Sequence, residues 1–349
     1  MHVAVDAHNL IADERGIGRY ARAVLSRAMR APDTRWTLVV RRFFPNRRGL
    51  AAAVGNAPFR VTRTVPADAD VVWFPWNGTF LDTSLPAVAT VHDCTPFAHP
   101  AASERLRATE QGPFLRTAAT AKRIMVQSAF TAGEVERWLQ IPPDRIVVTP
   151  LAADPVFTPG PPGPLPDALR GRPYLFCVGA HDERKNTPTL CAAFARAFPT
   201  GEMTLVFTRR PPTLPAHAVV VDAASDAELL ALYRGATLVA VPSLSEGFGL
   251  PLLEALACGT PAIAARTSAL PDVGGDAAAW VDDPLDVDAW AQALAALAAD
   301  DEGRARLAAA GPIQAAQFSW ERCTTQTLAV LRAVAASRGD VPSGWKRNV

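Results

Sequence analysis

The sequence predicts an α/β protein built from two doubly wound parallel-sheet domains. Three observations point there. Short β-branched runs alternate with longer helical ones from the first residues onward. That rhythm breaks once, at the proline- and glycine-rich stretch TPGPPGPLPDALRGRP (158–173), where neither a helix nor a central strand can form. It then restarts, and 349 residues with 49% hydrophobic side chains exceed what one core usually holds. The expected division is therefore 1–157 as the N-terminal domain, 158–173 as the linker and 174–318 as the C-terminal domain. Residues 319–349 would form a final helix and tail able to pack back on the N-terminal domain.

In the first domain HVAVDAH, WTLVVRR, DVVWFP, AVATVHD, RIMVQS and IVVTP read as strands, with helices near 16–30 and through GEVERWLQ. In the second, PYLFCVG, MTLVFT, TLVAVPS and PAIAA read as strands. Helices are expected from Thr187 to about Phe198, from about Ser225 to Tyr233, and from Pro251. Local chemistry marks their ends. Ser225-Asp-Ala-Glu228 is a capping box, Thr187-Pro188 reads as an N-cap followed by proline at the first helical position, and Gly259 follows a short helix. The alanine-rich stretch 289–310 carries periodic Leu and Trp positions and reads as a packed helix, as does WERCTTQTLAVLRAVAA (320–336).

Composition excludes several classes. With 35 basic and 34 acidic residues the formal charge is +1, which leaves no electrostatic footprint for nucleic acid. The opening MHVAVDAHNL lacks the pattern of a secretory signal, and no run reaches 18 apolar residues, so a cytoplasmic chain that does not span a membrane is expected. The five cysteines, Cys94, Cys177, Cys191, Cys258 and Cys323, form no C-x-x-C pair, so neither a disulfide framework nor a zinc site is expected.

The most informative segment is VPSLSEGFGLPLLEALACGTPAIA (241–264), one strand-loop-helix-strand unit. Ligands of open parallel sheets collect outside the carboxyl ends of strands, where this segment puts Glu246, Gly247, Phe248 and Gly249. Pro251 suits the first helical position, so the N–H groups around 247–252 should face that crevice and favour an anion. Glu246 and Glu254, eight residues apart, can flank such a site, and a carboxylate accepts well from sugar or ribose hydroxyls. In the preceding unit, PYLFCVGAHDERKNTPTL puts Arg184 and Lys185 just before a helix start, a pattern suited to a diphosphate.

Taken together, SEGFGLPLLEALACGTP (245–261) and GAHDERKN (179–186) resemble the retaining family 4 glycosyltransferases. Their architecture is two Rossmann-like domains with parallel sheets facing a deep interdomain cleft, the GT-B type. The resemblance continues through GIGRYARAVL (16–25), VHDCTPFAHP (91–100), VQSAFT (126–131), VTPLAAD (148–154) and SALPDVGGDAAAWVDDP (268–284), where Asp272 replaces a common glutamate. It is most similar to bacterial mannosyltransferases of surface-polysaccharide assembly. The resemblance implies that Glu246 binds the donor sugar's hydroxyls, Glu254 the nucleotide ribose, and Arg184 with Lys185 the diphosphate. The amides of Phe248, Gly249 and Leu250 would contact sugar and phosphate. His92 would reach the transferred sugar, with Asp93 beside it, and Gly16 to Gly18 would form a loop near the diphosphate. The implied donor is GDP-mannose and the implied acceptor a glycan or lipid-linked hydroxyl, with no cofactor beyond the donor and with the domains closing around it.

Other readings stay open at this point: a UDP-sugar donor, a sugar-nucleotide epimerase, a phosphorylase, a hinged solute-binding protein or a nicotinamide oxidoreductase. The last rests on Gly16-Ile-Gly18-Arg-Tyr-Ala21, which matches G-x-G-x-x-A but stands too far beyond its strand. His92 also admits a structural role, held by a neighbouring acid. His8, His99 and His181 are weaker site candidates, and Arg19 and Tyr20 fit either the acceptor side or a helix face. Asp68-Ala-Asp70 and Asp286-Val-Asp288 resemble a D-x-D metal motif. The first precedes a strand and the second suits a helix N-terminus, so no metal is expected. RRFFPNRRGL (41–50) reads as a solvated turn, with Arg41, Arg42, Arg47 and Arg48 also suited to peripheral contact with an anionic membrane.

Overall fold

The structure is a computed structural model that describes residues 1–13, 16–179, 183–223 and 225–337. The chain divides into two compact units, Met1–Leu151 with the segment from Trp320, and Ala152–Ser319.

The first unit contains β1 (His2–Asp6), α1 (Gly16–Ala28), β2 (Arg35–Val39), α2 (Arg47–Ala53), β3 (Arg60–Thr62), β4 (Val71–Asn77) and β5 (Ala87–Thr90). It continues with α3 (Thr95–Ala98), α4 (Glu104–Thr120), β6 (Arg123–Val126), α5 (Ala129–Leu139) and β7 (Ile146–Val148). Its strands form one parallel sheet in the order β3-β2-β1-β4-β5-β6-β7. Both faces are covered, which is why strands such as β1 and β5 are buried at every position. On one face Phe114 of α4 with Val135 and Leu139 of α5 packs against Phe74, Ala89 and Val126. On the other, α1 lies against β4, with fully buried Tyr20 edge-on to Trp73.

The second unit contains β8 (Tyr174–Cys177), α6 (Thr187–Ala197), β9 (Thr204–Phe207), β10 (Ala218–Val220), α7 (Asp226–Gly235), β11 (Leu238–Val241) and α8 (Leu250–Ala257). After them come β12 (Ala262–Ala265), α9 (Leu270–Gly274), β13 (Ala279–Val281), α10 (Val287–Ala299) and α11 (Asp301–Ala315). The parallel sheet runs β10-β9-β8-β11-β12-β13. Alternation along the strands builds two cores. Phe176, Val206 and Val239 face Tyr233 of α7 and Leu252 and Leu256 of α8, while Leu175, Leu205 and Ala240 face Phe194 of α6 and Trp290 of α10. The last helix, α12 (Trp320–Ala336), belongs to the first unit, where it packs along α1 and the sheet and Arg332 pairs with Asp33.

Several local expectations meet their geometry. Ser225 and Glu228 form the reciprocal capping box at the start of α7, and Asp286 caps α10 by accepting from the amides of Asp288 and Ala289. Others shift. The cap of α6 is Asn186 in the left-handed region at φ 51°, one residue before Thr187. The alanine-rich stretch is two helices, because the Asp300 carboxylate accepts from the Gly303 amide and restarts the chain as α11. The unit boundary falls at Leu151/Ala152, upstream of the segment expected as the linker. Residues 158–173 are part of the second unit, because Leu165 and buried Leu169 pack on its core.

Candidate active site

In the second unit the strand order reverses between β8 and β11, so a crevice for ligands is expected outside their carboxyl ends. Arg184 and Lys185 follow β8 in a short 3₁₀ turn, Glu183–Lys185, and Glu246 follows β11. Although 61 residues apart, they meet: Lys185 Nζ donates to Glu246 Oε1 at 2.6 Å, and an Arg184 nitrogen lies 3.5 Å from Oε2. The same guanidinium donates to the Ser245 carbonyl at 2.6 Å, and the Leu244 amide to the Arg184 carbonyl at 2.8 Å. Ser243 Oγ donates to Glu246 Oε1 at 2.7 Å, and the Glu246 amide donates to Ser268 Oγ at 2.9 Å.

Glu246 is buried, and that burial alone would push its carboxyl up. Lys185 and Arg184, with the hydrogen bonds from Lys185 and Ser243, outweigh it and hold the group below the usual glutamate range. The carboxylate is thus charged and fixed. An ammonium has three donors and only one is directed at Glu246 here, so the cluster keeps donors for an anion. Cys177 and Lys185 line a small cavity beside it with Val241, Pro242, Ser243 and Pro251. Burial pushes the Cys177 thiol up to about 12, so the neighbouring sulfur stays protonated.

The loop from Glu246 into α8 supplies the backbone part of the site. Gly249 is the N-cap at φ 101°, a left-handed conformation that disfavours any side chain, and a Cβ there would lie 2.6 Å from Leu270 Cδ2. Pro251 stands in the first turn. The Phe248 ring is buried edge-on to Phe318, leaving its backbone to define the loop surface. In the first turn Pro251 has no N–H and the Leu252 amide donates to the Gly249 carbonyl at 3.1 Å, so the Leu250 amide is the first-turn donor left to suit a negative ligand. Glu254 lies one turn on, buried, with Oε2 accepting from the Tyr233 hydroxyl at 2.8 Å.

His92 and Asp93 lie in the first unit, just past β5. The His92 ring donates through Nε2 to the Pro75 carbonyl at 2.9 Å, since a carbonyl only accepts, and stacks edge-on against Tyr20 with centroids 4.9 Å apart. This fixes Nδ1 as the unprotonated nitrogen of the neutral ring. Burial lowers its pKa more than the Pro75 carbonyl and Asp93 raise it, so the ring is neutral at pH 7. The structural role weighed for His92, held by a neighbouring acid, is not what fixes it: the Asp93 carboxylate instead accepts from the Thr95 amide at 2.9 Å. Asn77 Oδ1 accepts from the His92 amide at 2.6 Å.

Gly16 and Gly18 form the first turn of α1, as the helical pattern near 16–30 predicts, rather than the loop that the resemblance implies. A Cβ on Gly18 would meet the Asp13 carbonyl oxygen at 1.7 Å, so the close approach of that turn to the preceding chain requires glycine. Tyr20 belongs to the core, its hydroxyl 3.3 Å from Thr90 Oγ1. His99 is exposed, and His181 lies outside the described residues. Asp68 pairs with Arg35, Asp70 accepts from the His2 amide, and Asp288 pairs with Arg196, so both D-x-D stretches hold structure. Sequence reasoning missed Ser243, Ser268 and Tyr233, which position the two glutamates from distant chain positions with no local pattern to announce them. Asn186 could have been found, since an asparagine just before Thr-Pro suits a left-handed cap.

Doubly wound units of this kind, one carrying cations and carboxylates beside its switch point, suit an enzyme whose ligand is anionic and bears hydroxyls. Residues 17–157 match the family model described as Glycosyltransferase Family 4, and residues 213–314 the model described as Glycosyl transferases group 1. The O-antigen chain mannosyltransferase B of Escherichia coli is 33% identical over 271 residues, covering 69% of each chain. Sucrose-phosphate synthase from Thermosynechococcus elongatus superimposes with a TM-score of 0.72 at 20% identity, over 96% of this chain and 99% of that one. Anabaena HepE, solved with UDP-glucose, gives 0.70 at 14% identity, over 95% and 99%. The chain belongs to the family 4 glycosyltransferases, of GT-B fold, and resembles their bacterial mannosyltransferases.

Proposed function

We propose that this glycosyltransferase moves a hexose, mannose from GDP-mannose, onto a hydroxyl of a glycan or lipid-linked acceptor, with retention and without a metal. The observation that carries the reading is the Lys185–Glu246–Arg184 cluster at the switch point of the second unit. In this reading Arg184, Lys185 and the Leu250 amide at the start of α8 stabilise the charge that develops on the leaving diphosphate, the task a metal performs elsewhere. Glu246 receives hydroxyls of the sugar, and Glu254 those of the ribose. The bond from C1 to the diphosphate oxygen breaks as the acceptor oxygen bonds C1 on the same face. The departing phosphate oxygen takes the acceptor proton, while neutral His92 offers Nδ1 as an acceptor to the transferred sugar.

Mannose is favoured by the named activity of the Escherichia coli relative. A UDP-sugar is the second reading, favoured by the UDP-glucose bound in the Anabaena structure. Proton NMR of GDP-mannose turnover in excess EDTA tests the proposal. Initial appearance of the α-anomer at an undiminished rate is expected, and β-product or loss of turnover in EDTA would contradict it.

For an acceptor carried on lipid the enzyme would work at the cytoplasmic face of a membrane. Among the described residues no helix is long and apolar enough to cross one. The turn before α2 supports surface contact instead: Phe43 and Phe44 are 75% and 93% exposed, flanked by exposed Arg41, Arg42, Arg47 and Arg48. Aromatic wedges within a basic collar suit an anionic interface. Flotation with phosphatidylglycerol vesicles should carry the protein up, and Phe43→Ser/Phe44→Ser should abolish this. Equal flotation of that variant would remove the contact.

A further inference from the structure

The carboxyl edge of the sheet in the first unit holds a polar centre that the donor chemistry does not use. β1 ends at Asp6, and the strand order of that sheet reverses between β1 and β4, the place where open parallel sheets take ligands. Asp6 is 1% exposed. Its Oδ1 accepts from the His8 amide at 3.1 Å, and its main-chain carbonyl accepts from Trp76 Nε1 at 2.8 Å. Its Oδ2 is buried and has no hydrogen-bond partner among the described residues, and the same is true of His8 Nδ1.

Native proteins seldom bury a carboxylate oxygen without a donor, and such an atom marks either a purely structural cost or a group waiting for a ligand. The turn is already made by Oδ1 and the main chain, so structure leaves Oδ2 without a task. Burial pushes the Asp6 carboxyl up, while the His8 amide, Arg41 and the His8 ring draw it back. What Oδ2 lacks is an O–H or N–H donor, and His8, two residues on and tied to Asp6 through its amide, carries at Nδ1 a second buried polar atom with capacity for a contact.

We propose that Asp6 and His8 form a hydroxyl-recognising subsite for the acceptor sugar. Asp6 Oδ2 accepts from one hydroxyl, and His8 Nδ1 engages a neighbouring one. The inference rests on the transferase reading given above and deepens it. A glycosyl transfer joins two polyhydroxylated substrates, and the carboxylates of the second unit, Glu246 and Glu254, are assigned to the donor. Among the described residues, Asp6 at the switch point of the first unit carries a buried carboxylate oxygen without a donor. His92, past the end of β5, stands on the same sheet edge, one strand beyond β4. Asp6 and His8 act by binding and orienting the acceptor rather than by exchanging protons with it.

Calorimetric titration of methyl α-mannoside into the full-length protein, unliganded and GDP-loaded, tests this. Asp6→Asn keeps the side-chain shape, and Asp6→Ala removes the acceptor altogether. Mannoside affinity should fall at least tenfold in both, most in Asp6→Ala, and less in the partly exposed His8→Ala, with GDP affinity unchanged. Thermal unfolding checks that the variants are folded, and His8→Ala remains informative if either Asp6 variant is not. Equal mannoside affinity in the wild type and all folded variants, or no mannoside binding by the wild type, would overturn the subsite. Loss of GDP binding in the wild type would instead strike the donor reading, and the unliganded arm still reads Asp6.

Discussion

Lys185→Ala is expected to lower donor turnover by about 10²–10³-fold, the usual cost of deleting one preorganised donor to developing negative charge. Two effects combine. The diphosphate loses an ammonium, and Glu246, whose Oε1 is 2.6 Å from Lys185 Nζ, is left buried with only Arg184 and Ser243 to hold its charge. Removing one partner of a buried pair costs about 3–5 kcal/mol where burial is complete. The lower part of that range is expected here, because Arg184 remains.

The pH dependence gives a separate readout. The Glu246 pKa is depressed in the folded protein, so its contribution to stability is complete above the usual glutamate range and is lost as pH falls through the depressed value. Taking away Lys185 raises the folded pKa and moves the acid limb of stability toward neutrality. Thermal unfolding at a series of acidic pH values checks this. An unchanged acid limb together with full turnover would show that the ion pair has no part in the site.

Glu254→Ala should weaken donor binding by about 10–100-fold, since a hydrogen bond to a charged group is worth about 1.5–3 kcal/mol. The helix should survive, because alanine is the best helix former and Glu254 sits inside α8. Tyr233→Phe provides the graded control. It removes the 2.8 Å hydrogen bond that orients Oε2 but keeps the ring that packs on Phe176 and Phe157, so it should weaken binding by much less. Calorimetry with the nucleotide diphosphate distinguishes the two. Wild-type affinity in folded Glu254→Ala would remove the ribose assignment.

The parts of the fold that could be read from sequence were those whose signal is local. Ser225 and Glu228 lie three residues apart and make their hydrogen bonds to each other's backbone, so the capping box carries its own geometry. Central strands such as β8 and β11 are buried on both faces and read as unbroken apolar runs. The strands β3, β10 and β13 are only three residues long and lie at or next to a sheet edge, too short for a periodic pattern. The long helix α4 escaped notice because ERLRATEQGP is polar on most faces and contains Gly112-Pro113. At that break the Pro113 carbonyl accepts from the Thr79 amide at 3.1 Å, and the chain passes so close that a Cβ on Gly78, at φ 110°, would meet Pro113 at 2.8 Å. The segment 158–173 looked like a linker because proline and glycine exclude regular structure, yet excluding a helix does not exclude packing, as Leu169 shows.

The same distinction governs the site. Arg184, Lys185 and Glu246 could be paired in advance because alternating strands and helices fix which loops share a sheet edge, whatever their separation in the chain. Ser243, Ser268 and Tyr233 could not, because what makes them useful is where β11, α7 and the turn after β12 lie in three dimensions. For Gly16 to Gly18 the family resemblance implies a loop, whereas the helical pattern predicts a helix near 16–30. The structure assigns them to a helix whose first turn passes too close to Asp13 for a side chain.

In the reading proposed above, the Lys185–Glu246–Arg184 cluster is a nucleotide-diphosphate site that prefers GDP. Calorimetric titration with GDP, UDP, ADP and NAD, with Arg184→Ala/Lys185→Ala as the control, tests it most directly. GDP should bind in preference to the other three, and the folded double variant should lose that binding. Selective UDP binding lost in the variant would keep the cluster and change the donor. NAD binding alone, or GDP binding retained in the variant, would contradict the account.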